Sequence, residues 1–224
     1  TTVVGGALEV DGYLAGSAVT VAPNGTLSGT GTVGDTTVQQ GGTIAPGAGA
    51  GTIGTLTVNG ALHQTGGSTY AVTLASTGQS DLIDAASATI DPGAMLVVSK
   101  IDSPRYVLGQ RYTVLAAEGG VAGTYALSGD THVSLFYDLV DHYDPTHVYL
   151  DVSQTHSFAS VAVTPNEIAA AGGADSLGSG TLHDAIGYLQ TVPEALAAFD
   201  AISGEIHASA RTAAEEDSRF VREA

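Results

Sequence analysis

Val21-Ala-Pro-Asn-Gly25-Thr-Leu27 and Val38-Gln-Gln-Gly-Gly42-Thr-Ile44 decide the fold, because each places an apolar residue on either side of a short polar insert that ends in glycine. Val10-Asp-Gly12-Tyr-Leu14, Val58-Asn-Gly60-Ala-Leu62 and Ile90-Asp-Pro-Gly93-Ala-Met-Leu96 repeat the pattern. Each reads as two short strands joined at a sharp corner. The corner glycines Gly12, Gly25, Gly42, Gly60 and Gly93 are expected to supply a positive φ that a residue with a Cβ adopts only at a cost. Asn24-Gly25 and Asn59-Gly60 are the strongest turn signals.

Hairpins at these corners would build an antiparallel sandwich, but the flanking strands are only about three to five residues, short for globular domains. Short strands with a corner each suit the passes of a parallel solenoid, where every strand hydrogen-bonds its successor and inward residues stack into columns. Val21, Leu27, Val38, Ile44 and Val58 are the inward residues expected. The corners recur at intervals of 11, 17, 20 and 32 residues. That is too uneven for a strict repeat, and a degenerate solenoid with loops of varying length is expected over residues 1–99.

Composition fits such a stack. The 224 residues include 30 Gly, 6% aromatic residues and no Cys, so the core must be layers of small aliphatic side chains. The 23 acids against 6 bases give a formal net charge of -17, and the first base is Lys100. A cationic face for phosphate is missing, which removes nucleic acid from the expected partners. Arg211, Arg219 and Arg222 are spread along an acidic tail rather than clustered for an anionic bilayer. Without Cys there is neither a disulfide framework nor a thiolate metal site. No run of 18 apolar residues occurs, and Thr1 is not followed by a signal-peptide pattern, so the chain is expected to be an internal stretch of a longer protein.

From about 100 to 155 larger rings appear, and Tyr112, Leu115, Tyr125, Phe136 and Leu150 are candidate core residues of a terminal module with a thicker core. Strands are expected at 111–116, 133–139 and 147–152. An open solenoid end would expose unpaired strand edges, so a different module is physically expected there. After about residue 160 the pattern turns helical. Thr164-Pro-Asn-Glu167 and Thr191-Val-Pro-Glu194 are capping-box starts. Leu182, Ile186 and Leu189 make one apolar face, Leu196, Phe199, Ile202 and Ile206 another, and Gly172-Gly173 and Gly178-Ser-Gly180 mark breaks.

Chemical motifs are sparse. Gly29-Gly31-Gly34 and Gly49-Gly51-Gly54 match a dinucleotide fingerprint, but neither precedes a helical pattern, and corner glycines are the ordinary reading. Asp138, Asp141, His142, Asp144 and His147, with His132 nearby, carry ligand types for a cation, yet an acidic turn at Asp144-Pro145 accounts for them more simply. Ser203 and His207 stand four apart without a third catalytic group or a Gly-x-Ser-x-Gly turn. No catalytic, cofactor-binding or metal residues are assigned, and the stretch is not expected to be an enzyme by itself.

Three stretches resemble the classical autotransporters, the pertactin-like and diffuse-adherence-adhesin-like passengers of type V secretion. Gly41-Gly-Thr-Ile-Ala-Pro-Gly47 with Ile53-Gly-Thr-Leu-Thr-Val-Asn-Gly60, then 64–70 and Ser80-Asp-Leu-Ile83, looks like the end of a passenger stem. Leu108-Gly-Gln-Arg-Tyr-Thr-Val-Leu115 through Tyr149-Leu-Asp-Val152 is similar to the aromatic module that closes it. Phe199-Asp-Ala-Ile-Ser-Gly-Glu-Ile-His-Ala-Ser-Ala210 through Asp217-Ser-Arg-Phe-Val-Arg222 looks like the segment before the translocator barrel, with Phe199, Gly204, Glu205, His207, Arg211 and Arg219 as its marked residues. The resemblance covers most of residues 40–224. It implies a mainly β protein: a right-handed parallel β-helix stem at 1–99, an autochaperone-like capping module at 100–155, and an α-helical linker at 156–224. Paired Gly172 and Gly173 depart from the continuous helix the family pattern implies.

The function implied is support of passenger folding and display at the surface of a Gram-negative cell, the terminal module folding first and each pass templating the next. The partner implied is the protein's own outer-membrane β-barrel. Two alternatives stand beside it: an adhesive face for a host-cell or matrix ligand, and the stem of a parent protease or esterase whose catalytic domain lies upstream. No cofactor is expected in any of the three.

Overall fold

The computed structural model describes residues 1–49, 51–102, 105–204, 211–212 and 215–216. The chain is mainly β and forms two compact units, Thr1–Thr131 with Leu139–Ser153, and His132–Asp138 with Gln154–Ala224. No helix among the described residues is long and apolar enough to cross a membrane.

In the first unit the chain alternates between two sheets. One sheet takes β1 (Thr2–Val3), β3 (Tyr13–Leu14), β4 (Val19–Val21), β6 (Thr32–Val33), β7 (Thr36–Val38), β9 (Thr55–Gln64), β11 (Leu82–Ile90), β13 (Arg111–Ala117) and β14 (Val121–Ala122). The other takes β2 (Gly6–Glu9), β5 (Gly25–Gly29), β8 (Thr43–Pro46), β10 (Thr69–Leu74), β12 (Met95–Lys100) and β15 (Ala126–Gly129). Neighbours are parallel throughout these ladders, so each pass lies on the previous one rather than folding back beside it. The first sheet then changes character: β16 (Tyr137–Tyr143) and β17 (His147–Gln154) follow β13 in the strand order, and β17 runs antiparallel to β13.

Register puts like side chains over like. Val3, Val21, Val38, Gln64 and Ile90 are successive partners in one column. Leu8, Leu27, Ile44, Tyr70, Leu96 and Leu127 are partners in the opposite sheet. Val21, Leu27, Val38 and Ile44 are fully buried, and Val58 is buried between Val33 and Ala85. Alternation along each short strand sends the neighbouring Thr and Ser outward, which is the period a half-buried strand requires. Tyr112, Leu115, Tyr125 and Leu150 thicken the core toward the antiparallel end, as Tyr70 and Tyr106 do nearby.

In the second unit a 3-10 turn, Phe158–Val161, precedes α1 (Pro165–Asp175), α2 (Thr181–Gly187) and α3 (Val192–Ser203). Both capping boxes form: Thr164 and Thr191 accept from the backbone of Glu167 and Glu194, whose carboxylates accept from the cap backbones. Phe136, Phe158, Ala171, Ala174, Ile186, Ala195 and Phe199 are buried, with the Phe136 and Phe158 rings edge to face at 4.9 Å.

Three local expectations are corrected. The strand expected at 133–139 begins only at Tyr137, because Val133 and Ser134 both donate to the Tyr137 carbonyl and the Ser134 hydroxyl caps the amides of Phe136 and Tyr137 as a turn. Helix α1 runs through Gly172 and Gly173 and stops at Asp175, held by its capping box and by buried Ala171 and Ala174; the break falls at 176–180. On α2 the inward residue beside Ile186 is His183, 1% exposed, whereas Leu182 is 41% exposed; Ile202 of α3 also faces outward, and Ile206 lies outside the described residues.

Candidate functional site

The most regular polar structure in the first unit is one of its corners. Residues 22–25, 39–42, 65–68 and 91–94 each close a turn in which the fourth amide donates to the first carbonyl. The third residue takes the left-handed conformation: Asn24 at φ 64°, Gly41 at 77°, Gly67 at 78° and Gly93 at 89°. Pro23 and Pro92 hold the second position, the type II pattern. The left-handed residues are bonded one above another, the amides of Asn24, Gly41 and Gly67 donating to the carbonyls of Gly41, Gly67 and Gly93, each at 2.9 Å.

This corrects the reading of the corner glycines. Of Gly12, Gly25, Gly42, Gly60 and Gly93, only Gly93 has a positive φ. Gly25 and Gly42 follow the left-handed residue and are glycine because the previous pass is so close: a Cβ would lie 2.5 Å from the Val3 carbonyl oxygen and 2.7 Å from that of Val21. Gly60 lies inside β9, and a Cβ there would overlap the Asp35 carboxylate, which accepts from the Ala61 amide at 2.8 Å. Gly12 has open space around it and is no corner of this ladder. The corner at 65–68 lacks the apolar-glycine-apolar pattern because Gln64 holds the place that Val or Ile holds elsewhere.

In the second fingerprint match Gly49 and Gly51 take a positive φ, and a Cβ on Gly54 would overlap Gly47; in the first, close approach is the cause. A Cβ on Gly29, Gly31 or Gly34 would overlap backbone of the preceding pass, at Val10, Gly12 and Ser17. No helix follows either match among the described residues, so the geometry that directs a helix N-terminus at a pyrophosphate is missing.

The second unit contains a cleft of about 440 Å³ lined by Val133, Leu135 and Val161 with His132, Asp138 and His156 among its polar residues. His132 Nδ1 lies 2.6 Å from Asp138 Oδ1, His156 Nδ1 lies 3.9 Å from Oδ2, and the Thr155 hydroxyl donates to the same carboxylate. Among the described residues no group of three or more His, Asp or Glu is able to hold a metal ion. Ser134 and Ser160 also line the cleft, but their hydroxyls donate to the carbonyls of Gly187 and Ser157, each at 2.6 Å, and neither is directed at an imidazole as a nucleophile would be.

Asp144 belongs to the first unit and acts as a turn anchor. It accepts from the amides of Thr146 and His147, each at 2.8 Å, and from the Tyr149 hydroxyl at 2.6 Å. The Tyr149 hydroxyl and these amides hold its carboxyl well below the usual range. Of the helical residues marked in the sequence, Phe199 is fully buried, Gly204 ends α3 at φ 77°, and Arg211 pairs with Glu215 at 3.0 Å on the surface. Ser203 donates to the Asp200 carbonyl. Glu205, His207 and Arg219 lie outside the described residues.

No family model matches the chain. Over 185 residues it is 34% identical to the extracellular serine protease of Serratia marcescens, a match that takes in 79% of this chain and 17% of that protein. The chain therefore spans less than a fifth of the length of the curated relative it matches.

Proposed function

We propose that this chain is a stretch of an autotransporter passenger, with a parallel β-helix stem in the first unit and, in the helices of the second, the segment that leads toward an outer-membrane barrel. The observation that carries the reading is the 185-residue likeness to an extracellular bacterial protein, joined to a sheet topology in which successive passes stack in parallel. The antiparallel pairing of β17 with β13, with buried Tyr106, Tyr112 and Tyr125 in the same stretch, supports an autochaperone-like role for residues 100–155. In that role the terminal module folds first outside the membrane and presents a strand edge on which each earlier pass forms. The work is physical, with no bond made or broken.

Deletion of 100–155 in the full-length protein tests this directly: loss of surface display is expected, and undiminished display would overturn the chaperone role. Reading the coding sequence beyond Ala224 tests the setting, since a membrane barrel requires amphipathic strands of roughly 9–11 residues.

The name of the Serratia relative favours a second reading, in which the stem serves a parent hydrolase whose catalytic residues lie outside this stretch. Protease activity in the parent, absent from the 224-residue chain, would support it.

A further inference from the structure

Asp81 is 1% exposed, and none of the ion pairs among the described residues includes it. It sits where the chain, having left β10 and turned through 75–80, enters β11. Its Oδ1 accepts from the Gly54 amide at 2.8 Å and its Oδ2 from the Thr73 amide at 2.7 Å. Backbone bonds reinforce the same contacts: the Asp81 amide donates to the Thr73 carbonyl at 2.9 Å and the Leu82 amide to the Gly54 carbonyl at 3.0 Å. One side chain thus ties the lead into β9 to the end of β10, at a crossing between the two sheets.

A buried carboxylate with no cation beside it is disfavoured in its charged form, and amide donors offset only part of that. Tyr70, the titratable neighbour, supplies no positive charge; its hydroxyl donates to the Val114 carbonyl at 2.6 Å and burial holds it neutral. Burial pushes the Asp81 carboxyl up to about 6, against the opposing effect of the Gly54 and Thr73 bonds.

We propose that Asp81 is a proton-linked clasp: the first unit takes up a proton at this buried carboxyl group as it folds in mild acid, so acidification stabilises the folded first unit over the unfolded chain. The proton comes from solvent, and the sign follows from linkage. In the unfolded chain the group titrates near 3.8, so the stabilisation is fully present below that pH and is lost as pH rises through about 6. The proposal concerns the first unit alone and does not depend on the autotransporter reading.

Urea unfolding of the full chain between pH 5 and 8, followed through its β signal, is the test, with Asp81→Asn alongside. The wild-type midpoint is expected to rise on acidification from pH 7 to 5, and the rise to shrink in Asp81→Asn to what relief of general charge repulsion supplies. Carboxyl-carbon NMR of the folded wild type reads the same group directly and decides the matter if the variant does not fold. A folded-state titration near 4, or an undiminished rise in Asp81→Asn, would overturn the proposal.

Discussion

Gln64 shows how a single side chain can conceal a repeat. It occupies a column otherwise made of Val3, Val21, Val38 and Ile90, is fully buried, and its amide oxygen and nitrogen have no protein partner among the described residues. Unpaired buried amide groups cost on the order of 1–3 kcal/mol, so Gln64→Val is expected to stabilise the first unit by a comparable amount in urea titrations. The intervals of 20 and 32 residues on either side of Val58 in the apolar pattern arise here: Val58 lies inside β9 and leads no corner, whereas the corner at 65–68 is present with a polar leading residue. The corner glycines were legible as glycines and not as conformations, because sequence does not say whether a glycine is needed for its φ or for the closeness of the next pass. Gly60→Ala separates those causes. Its Cβ would displace Asp35, so a loss of about 1–3 kcal/mol is expected, and in Asp35→Ala the same change should cost much less. Additive losses in the double variant would contradict the contact.

At the scale of elements, the strands and helices were readable for different reasons. Two-residue alternation in β4, β5 and β7 and the Thr-x-x-Glu starts of α1 and α3 are local signals, and the structure contains each of them. The inward face of α2 was not readable, because a seven-residue helix offers too few turns to fix its phase and the residue it buries is His183. Packing decides that phase: Gly187 of α2 lies against the Tyr137 ring, and a Cβ would overlap the phenol. Gly187→Ala, though favourable for an isolated helix, is therefore expected to lower the thermal midpoint of the second unit and reduce its helical circular dichroism. Thr191→Ala removes the cap of α3 and is expected to cost about 1 kcal/mol; an unchanged midpoint would show that the capping bonds are already satisfied by water in solution.

At the scale of the whole molecule, charge is the most general property. A net charge of -17 with only 6 bases opposes compaction through self-repulsion. Salt screens such repulsion over a Debye length of about 10 Å at 0.1 M, so raising sodium chloride from about 0.01 to 0.1 M is expected to lift the thermal midpoint by a few degrees. A fall would indicate that pairs such as Arg111 with Asp151, at 2.7 Å, outweigh the repulsion. The parallel fold class followed from strand brevity and corner recurrence, whereas the closing antiparallel pair did not, since β17 alternates like any half-buried strand and its direction depends on a partner remote in sequence. The ladder of left-handed residues at 24, 41, 67 and 93 also bears on how a gene for such a protein can change. Its hydrogen bonds fix one edge of the passes between residues 22 and 94, while the stretches between successive turns differ in length. The exposed tip at 77–79 is where added residues would leave that edge untouched. A lineage carrying this fold can therefore accumulate insertions on its other edges, and a designer can graft a foreign epitope there, without rewriting the spine.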